Sequence, residues 1–278
     1  MGEQPADPLL KIVNNSGFLF QLGVDTNVAM TYDEHGWKVA AREYPWSRED
    51  GTGGFIDIIL WKDITRLVVE CKRTRDASWV FLALWDTDEE RFRCCWADYA
   101  HRQQPHAGWF DVRMSPPSPI AEFCMVRGQG EGEISMLERI CSPLISAVDS
   151  LAAEELQMAQ TNQYPSRLIY IPVIVTTANL HLCVADPQKI SLGDGTIPEA
   201  SFKSVPFVRF NKSLATRLPD GVQPRELSHA AAERERSVFI VNSDHLVAFL
   251  RAVSVRRPHG QFAEWPWTVA RNREVAQQ

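Results

Sequence analysis

A mixed α/β (α+β) fold, a central sheet flanked by helices, is predicted by three observations. Two β-branched, apolar runs, 53–61 and 66–73, are joined by the short polar link Lys62-Asp63-Ile64-Thr65. Between Glu133 and Gln160 an apolar stripe recurs at helical spacing through Leu137, Ile140, Cys141, Leu144, Val148, Leu151 and Ala152. Further short apolar runs follow at Arg167 to Val175, Asn179 to Val184, Val205 to Phe210 and Ser237 to Val241.

Taken in order, Ser16 to Tyr32 is expected as the first helix, and Gly36 ends it. Trp37 to Trp46 reads as the first strand, and Asp50-Gly51-Thr52-Gly53-Gly54 as a flexible loop before the first apolar run. From Thr74 to Gly132 come aromatic segments interleaved with Arg91, Arg93 and Arg113; such residues either form core or stack on bases and grip phosphates. Pro143 is expected to kink or divide the long helix, and Pro172 favours an edge or bulge position for its strand. Pro219 to Arg236 is polar, a loop or a surface helix, and Ser243 is a credible cap for a helix over Asp244 to Val253.

The two runs at 53–73 form a hairpin by economy. If the four-residue link is the whole loop, Trp61 pairs with Arg66, and counting back sets Asp57 opposite Glu70. Arg66, Val68, Glu70 and Lys72 then share one face, with Leu67, Val69 and Cys71 on the other. Directly opposed residues have Cβ atoms roughly 5 Å apart, where like charges repel unless something neutralises them. A divalent cation does so: paired hard carboxylate oxygens suit Mg²⁺, and a neighbouring lysine can orient or deprotonate an attacking water. Lys62, Arg66, Lys72, Arg73 and Arg75 add local positive charge to a chain of net charge −6.

Asp57, thirteen residues before Glu70-Cys71-Lys72 and preceded like it by an apolar run, resembles the PD-(D/E)xK nuclease superfamily. The resemblance covers about the first quarter of the chain, where the order helix, strand, acid-bearing strand, E-x-K strand also matches. The family's usual proline before the acid is replaced by Ile56. The resemblance implies a restriction-endonuclease-like fold and an Mg²⁺-dependent endonuclease, with Mn²⁺ able to substitute. Asp57, Glu70 and Lys72 are then the catalytic residues. Asp57, Glu70 and the carbonyl of Cys71 are the metal ligands, and Lys62, Arg73 and Arg75 contact nucleic acid. The first helix often adds an acid in this family; Asp25 is the candidate, with Gln21 competing on alignment, and Glu43 is expected to face solvent. DNA is expected in preference to RNA, in an anti-phage or restriction context. A compact core would place a helix soon after the E-x-K strand, so 74–132 is expected as an insertion in a core of residues 1–190. Residues 191–278 then form a C-terminal extension that either belongs to the same domain or does not.

A different class stays open, a non-catalytic nucleic-acid-binding or assembly subunit, as does a protein partner or homo-oligomer. The sequence has no apolar run near the roughly 20 residues of a membrane span and no signal-peptide pattern, so no membrane partner and a cytoplasmic location are expected. Six scattered cysteines, without C-x-x-C or paired histidine spacing, suggest free thiols rather than zinc or disulfides. No Walker-type loop, nucleotide fingerprint or internal repeat is present.

Overall fold

The computed structural model describes residues 7–48, 50–74, 77–83, 87–98, 106–126, 135–159, 167–215, 218 and 223–256. The chain begins with helices α1 (Pro8–Asn15), α2 (Phe18–Met30) and α3 (Tyr32–His35). Strands β1 (Lys38–Ser47), β2 (Gly53–Lys62), β3 (Thr65–Lys72), β4 (Ser78–Ala83), β5 (Asp88–Asp98), β6 (His106–Ala121) and β7 (Phe123–Val126) follow. Then come α4 (Met136–Ala159), β8 (Arg167–Thr176), β9 (Asn179–Val184), β10 (Ser201–Ser204) and β11 (Phe207–Ser213). The described chain closes with α5 (Leu227–Arg234), β12 (Glu235–Asn242), α6 (Leu246–Ala252) and β13 (Ser254–Val255).

Mixed α/β architecture follows from two sheets. The larger has nine strands in the order β1-β2-β3-β8-β12-β11-β6-β13, with β5 bridging β6 and β8; the smaller runs β10-β9-β4-β7. One face of the large sheet carries Ile59, Val68 and Ile174 into a core shared with α4 and with Trp79, Phe81, Leu180 and Leu182 of the small sheet. The other face carries Ile58, Leu67, Val69 and Val173 against Val24 and Val28 of α2 and Phe249 and Leu250 of α6. Alternate residues of β3 and β8 therefore feed separate cores, as the two-residue strand period requires.

The expected first helix begins at Phe18, and α1 precedes it unforeseen. Its signal was present: the Asp7 side chain accepts from the Leu9 amide at 2.9 Å, and Pro8 occupies the first turn. Gly36 closes α3 with φ +75°, a left-handed conformation that glycine adopts without steric cost. Gly53 is required by close approach, since a Cβ there would lie 2.6 Å from the Trp46 carbonyl oxygen. The long helix runs through Pro143 as one element of 24 residues.

The edge or bulge position expected for Pro172 is corrected, because β8 lies inside the sheet between β3 and β12. Along one side β8 pairs in parallel with β3 from Ile169 to Thr176. Along the other side it pairs with β5 through Tyr170 and with β12 from Val173 onward, so its neighbour changes at Ile171-Pro172. Ile169 and Thr177 donate their amides toward β3, to Ile64 and Lys72. By the two-residue period, the nitrogen of Pro172 points away from β3, to the place where neither β5 nor β12 pairs. A missing N–H is tolerated there because no ladder bond is lost.

That fork in the sheet is held from within by Arg209. Its guanidinium is fully buried and donates to the carbonyls of Arg91 (2.8 Å), Met114 (2.7 Å) and Pro116 (2.7 Å). It also lies over the rings of Phe92 and Phe239. Burial pulls its pKa down to about 10, still charged at neutral pH. The segment expected as an insertion supplies β5 and β6 to the large sheet, and residues 191–278 supply β11, β12 and β13 to it.

Candidate functional site

The hairpin register is the one the sequence predicts. Trp61 pairs with Arg66 and Ile58 with Val69, and continuing that count sets Asp57 across from Glu70. The ladder ends at Ile58–Val69. Beyond it, the Cys71 amide donates to Asp57 Oδ2 at 2.7 Å instead of to a strand carbonyl. The side chain of Asp57 thus replaces backbone pairing at the open end of the hairpin, which fixes the carboxylate against β3.

Lys72 Nζ lies 2.8 Å from Glu70 Oε1, with the lysine side chain 40% exposed. The Asp57 carboxyl is pushed up to about 6. Burial is the largest cause, followed by the negative charge of Glu70; the Cys71 amide opposes the shift, Glu43 adds to it, and Lys72 opposes it. Asp57, Glu70, Lys72 and Glu43 therefore share one electrostatic neighbourhood.

Glu43 was expected simply to face solvent. It is exposed, yet the pairs Arg42–Ile58 and Tyr44–Ile56 set it across from Asp57. Its φ is +46°, a conformation uncommon for a residue with a Cβ. Strict alternation fails at the same level of β2, where Ile56 joins one core and Ile58 the other. The Gln21 amide of α2 bridges this break, donating to the Glu43 carboxylate and, at 3.0 Å, to the Asp57 carbonyl. Of the two first-helix candidates, Gln21 reaches the site, whereas Asp25 pairs with Arg42 at 2.8 Å. No periodic pattern marks Glu43; its neighbourhood depends on β1 folding back along β2.

The positive residues named from sequence are dispersed. Lys62 sits at the loop end of the hairpin, about 17 Å along β2 from Asp57 at the usual strand rise. There it donates to the His35 carbonyl at 2.8 Å. Arg66 is at that same end, 3.5 Å from Glu155 of α4. Arg73, next to Lys72, donates to the carbonyls of Asn14 and Ser16 at the end of α1. Arg75 lies outside the described residues.

In the aromatic segments, Trp79, Phe81, Phe92 and Trp96 are core, and Trp109 donates to Asp149 at 2.7 Å. Arg93 is buried and paired with Glu233 at 2.9 Å, while Arg91 engages Asp111 and Glu235. Arg113 is exposed. These arginines stand on β5 and β6; β8 lies between β3 and β5, and β6 lies beyond β5.

The donor set fits a hard divalent cation in its chemistry. Burial first, and the neighbouring Glu70 charge second, raise the Asp57 carboxyl, and a bound cation would offset both. A strand residue's N–H and C=O point to the same side, so the Cys71 carbonyl faces Asp57 beyond the last ladder pair. The Cys71 thiol packs instead against the opposite core, and burial pushes it up, so only its backbone serves this cluster. Among the described residues, no group of three or more His, Cys, Asp or Glu side chains is gathered for a metal. All six cysteines are free thiols. Comparison with protein-family models, curated proteins and solved structures finds no match for this chain.

Proposed function

We propose that the chain is a Mg²⁺-dependent nuclease with a restriction-endonuclease-like core, hydrolysing phosphodiester bonds of DNA in preference to RNA. The observation that carries this reading is the cluster at the open end of the hairpin: Asp57 anchored by the Cys71 amide, Glu70 across from it, and Lys72 beside Glu70. The order α2, β1, acid-bearing β2, E-x-K-bearing β3 gives further support, as does α4 packing on the sheet.

Asp57, Glu70 and the Cys71 carbonyl would hold the cation. When bound, it supplies Lewis-acid polarisation of a phosphoryl oxygen and an acidified water. Asp57 is tied to β3 through the Cys71 amide and Glu70 stands on β3 itself, so both acids are carried at one level of that strand. Lys72, freed from Glu70 when that carboxylate is otherwise engaged, orients the attacking water and offsets negative charge developing on the phosphate. An anti-phage or restriction role rests on the family resemblance alone.

The second reading, a non-catalytic nucleic-acid-binding or assembly subunit, is favoured by the dispersal of Lys62 and Arg66 away from the acids. One experiment separates the two. The purified chain is incubated with single- and double-stranded DNA and RNA under Mg²⁺ or Mn²⁺. Cleavage lost in Asp57→Ala supports the nuclease. Absence of cleavage on every substrate, with variants indistinguishable from wild type, replaces it with the binding subunit.

A further inference from the structure

The most anomalous surface among the described residues is that of α1 and the start of α2. No side chain of α1 is buried. Leu9 is 70% exposed, Leu10 52%, Ile12 67%, Val13 48%, Phe18 66% and Leu22 56%. Together these six side chains leave on the order of 650 Å² of apolar surface open, above the roughly 300–600 Å² of the largest patch on a typical monomer. An eight-residue helix is too short to persist alone in water, and the contacts that hold α1 are polar ones, Arg73 to Asn14 and Ser16. Its apolar side chains therefore serve something beyond the fold described above.

We propose that this face is covered by the same face of a second copy of the chain, forming a homodimer through α1 and the first turns of α2. Three observations select that occupant. The area available approaches the roughly 800 Å² per partner of a standard stable interface. Residues 8–24 carry a single charge, Lys11, so two copies meet without an array of like charges to repel them. A membrane surface would call for a helix rich in Lys and Arg on its polar face, and a charged partner for complementary charge; this run offers neither. The same two helices send Gln21 to Asp57 and accept Arg73, so the dimer joins the copies beside their acidic clusters. The proposal stands independently of whether those clusters hydrolyse anything.

Sedimentation equilibrium and light scattering of the purified chain, from about 1 to about 100 µM, test it. The expected mass is twice the 31.5 kDa of one chain, with dissociation on dilution. Leu10→Glu combined with Phe18→Glu is expected to weaken association at least 100-fold while leaving far-ultraviolet circular dichroism unchanged. Should that variant misfold, hydrogen exchange on the wild type gives an independent reading: amides of residues 9–15 are protected at high concentration and exchange freely at low. A single-chain mass throughout the concentration range overturns the proposal, including the case in which the monomer floats with phosphatidylcholine–phosphatidylserine vesicles. A dimer whose affinity and α1 protection are untouched by the double substitution overturns it equally.

Discussion

The amide of Cys71 donates to the carboxylate of Asp57 at 2.7 Å, joining the acid on one strand to the backbone that carries Glu70 and Lys72. The hydrogen bond takes the place of the next rung of the ladder, so the hairpin opens where its charged residues gather. Movement of β2 relative to β3 at that level would shift the Asp57–Glu70 relationship, and this bond resists it. The outcomes below follow from that arrangement and from the fork in the sheet.

Substitutions at the three charged residues should separate metal binding from turnover. Asp57→Ala and Glu70→Ala are expected to abolish Mg²⁺ binding by calorimetry together with phosphodiester cleavage. Lys72→Ala should lower turnover by about 10²- to 10³-fold with metal affinity largely kept, since it acts on developing charge. Affinity for nucleic acid should survive in all three variants and strengthen for the carboxylate changes, where repulsion of phosphate falls.

In metal-free protein the Asp57 carboxyl, raised from 3.8 to about 6 by burial and by Glu70, makes stability depend on pH. A folded-state value above the unfolded one means that the stabilising contribution is full below about pH 4 and is lost as pH rises through about 6. Thermal melts in chelator should therefore decline across that window. Asp57→Asn should flatten the decline, and Mg²⁺ should stabilise the wild type more at pH 7 than at pH 5.

Glu43 adds negative charge to the neighbourhood of Asp57, so removing that charge should make Asp57 a stronger acid. Glu43→Gln is expected to move the Asp57 midpoint downward in a carboxyl-carbon NMR titration. An unchanged midpoint would show that Glu43 is too well solvated to matter.

Arg209 donates to three backbone carbonyls at the fork, those of Arg91, Met114 and Pro116. Arg209→Met should cost about 3–5 kcal/mol in urea unfolding, because each stranded acceptor loses its donor. Arg209→Lys should recover only part of that, since one ammonium cannot reproduce the planar spread of donors.

Pro172 offers the converse case. Replacing it with Ala adds an amide that points into the gap between β5 and β12, where no ladder partner waits. A loss of about 1–3 kcal/mol is expected, the usual cost of a buried unmatched donor, although removing proline from a strand interior is ordinarily favourable. Equal or greater stability in urea would place a carbonyl or water in that gap.

Asp57, Glu70 and Lys72 could be brought together from the sequence because everything that relates them is local. A four-residue link and a two-residue period fix which residues oppose and which share a face, and Gly36 and the stripe from Leu137 to Ala152 are equally local signals. Lys62 and Arg66 looked like neighbours of the acids along the chain, yet strand rise carries them to the far end of the hairpin. Glu43 and Gln21 reach Asp57 only because β1 and α2 fold back over β2, a relation that no spacing within either segment encodes. Pro172 shows the same division: its rule concerns a missing N–H, and whether that matters depends on which strand lies beside it. The sequence by itself determined the hairpin, its register and the pairing of its acids, since those follow from covalent geometry and alternation. Tertiary structure alone decided the company those acids keep, the fork that admits proline into the central strand, and the exposure of α1, because each depends on contacts between residues far apart in the chain.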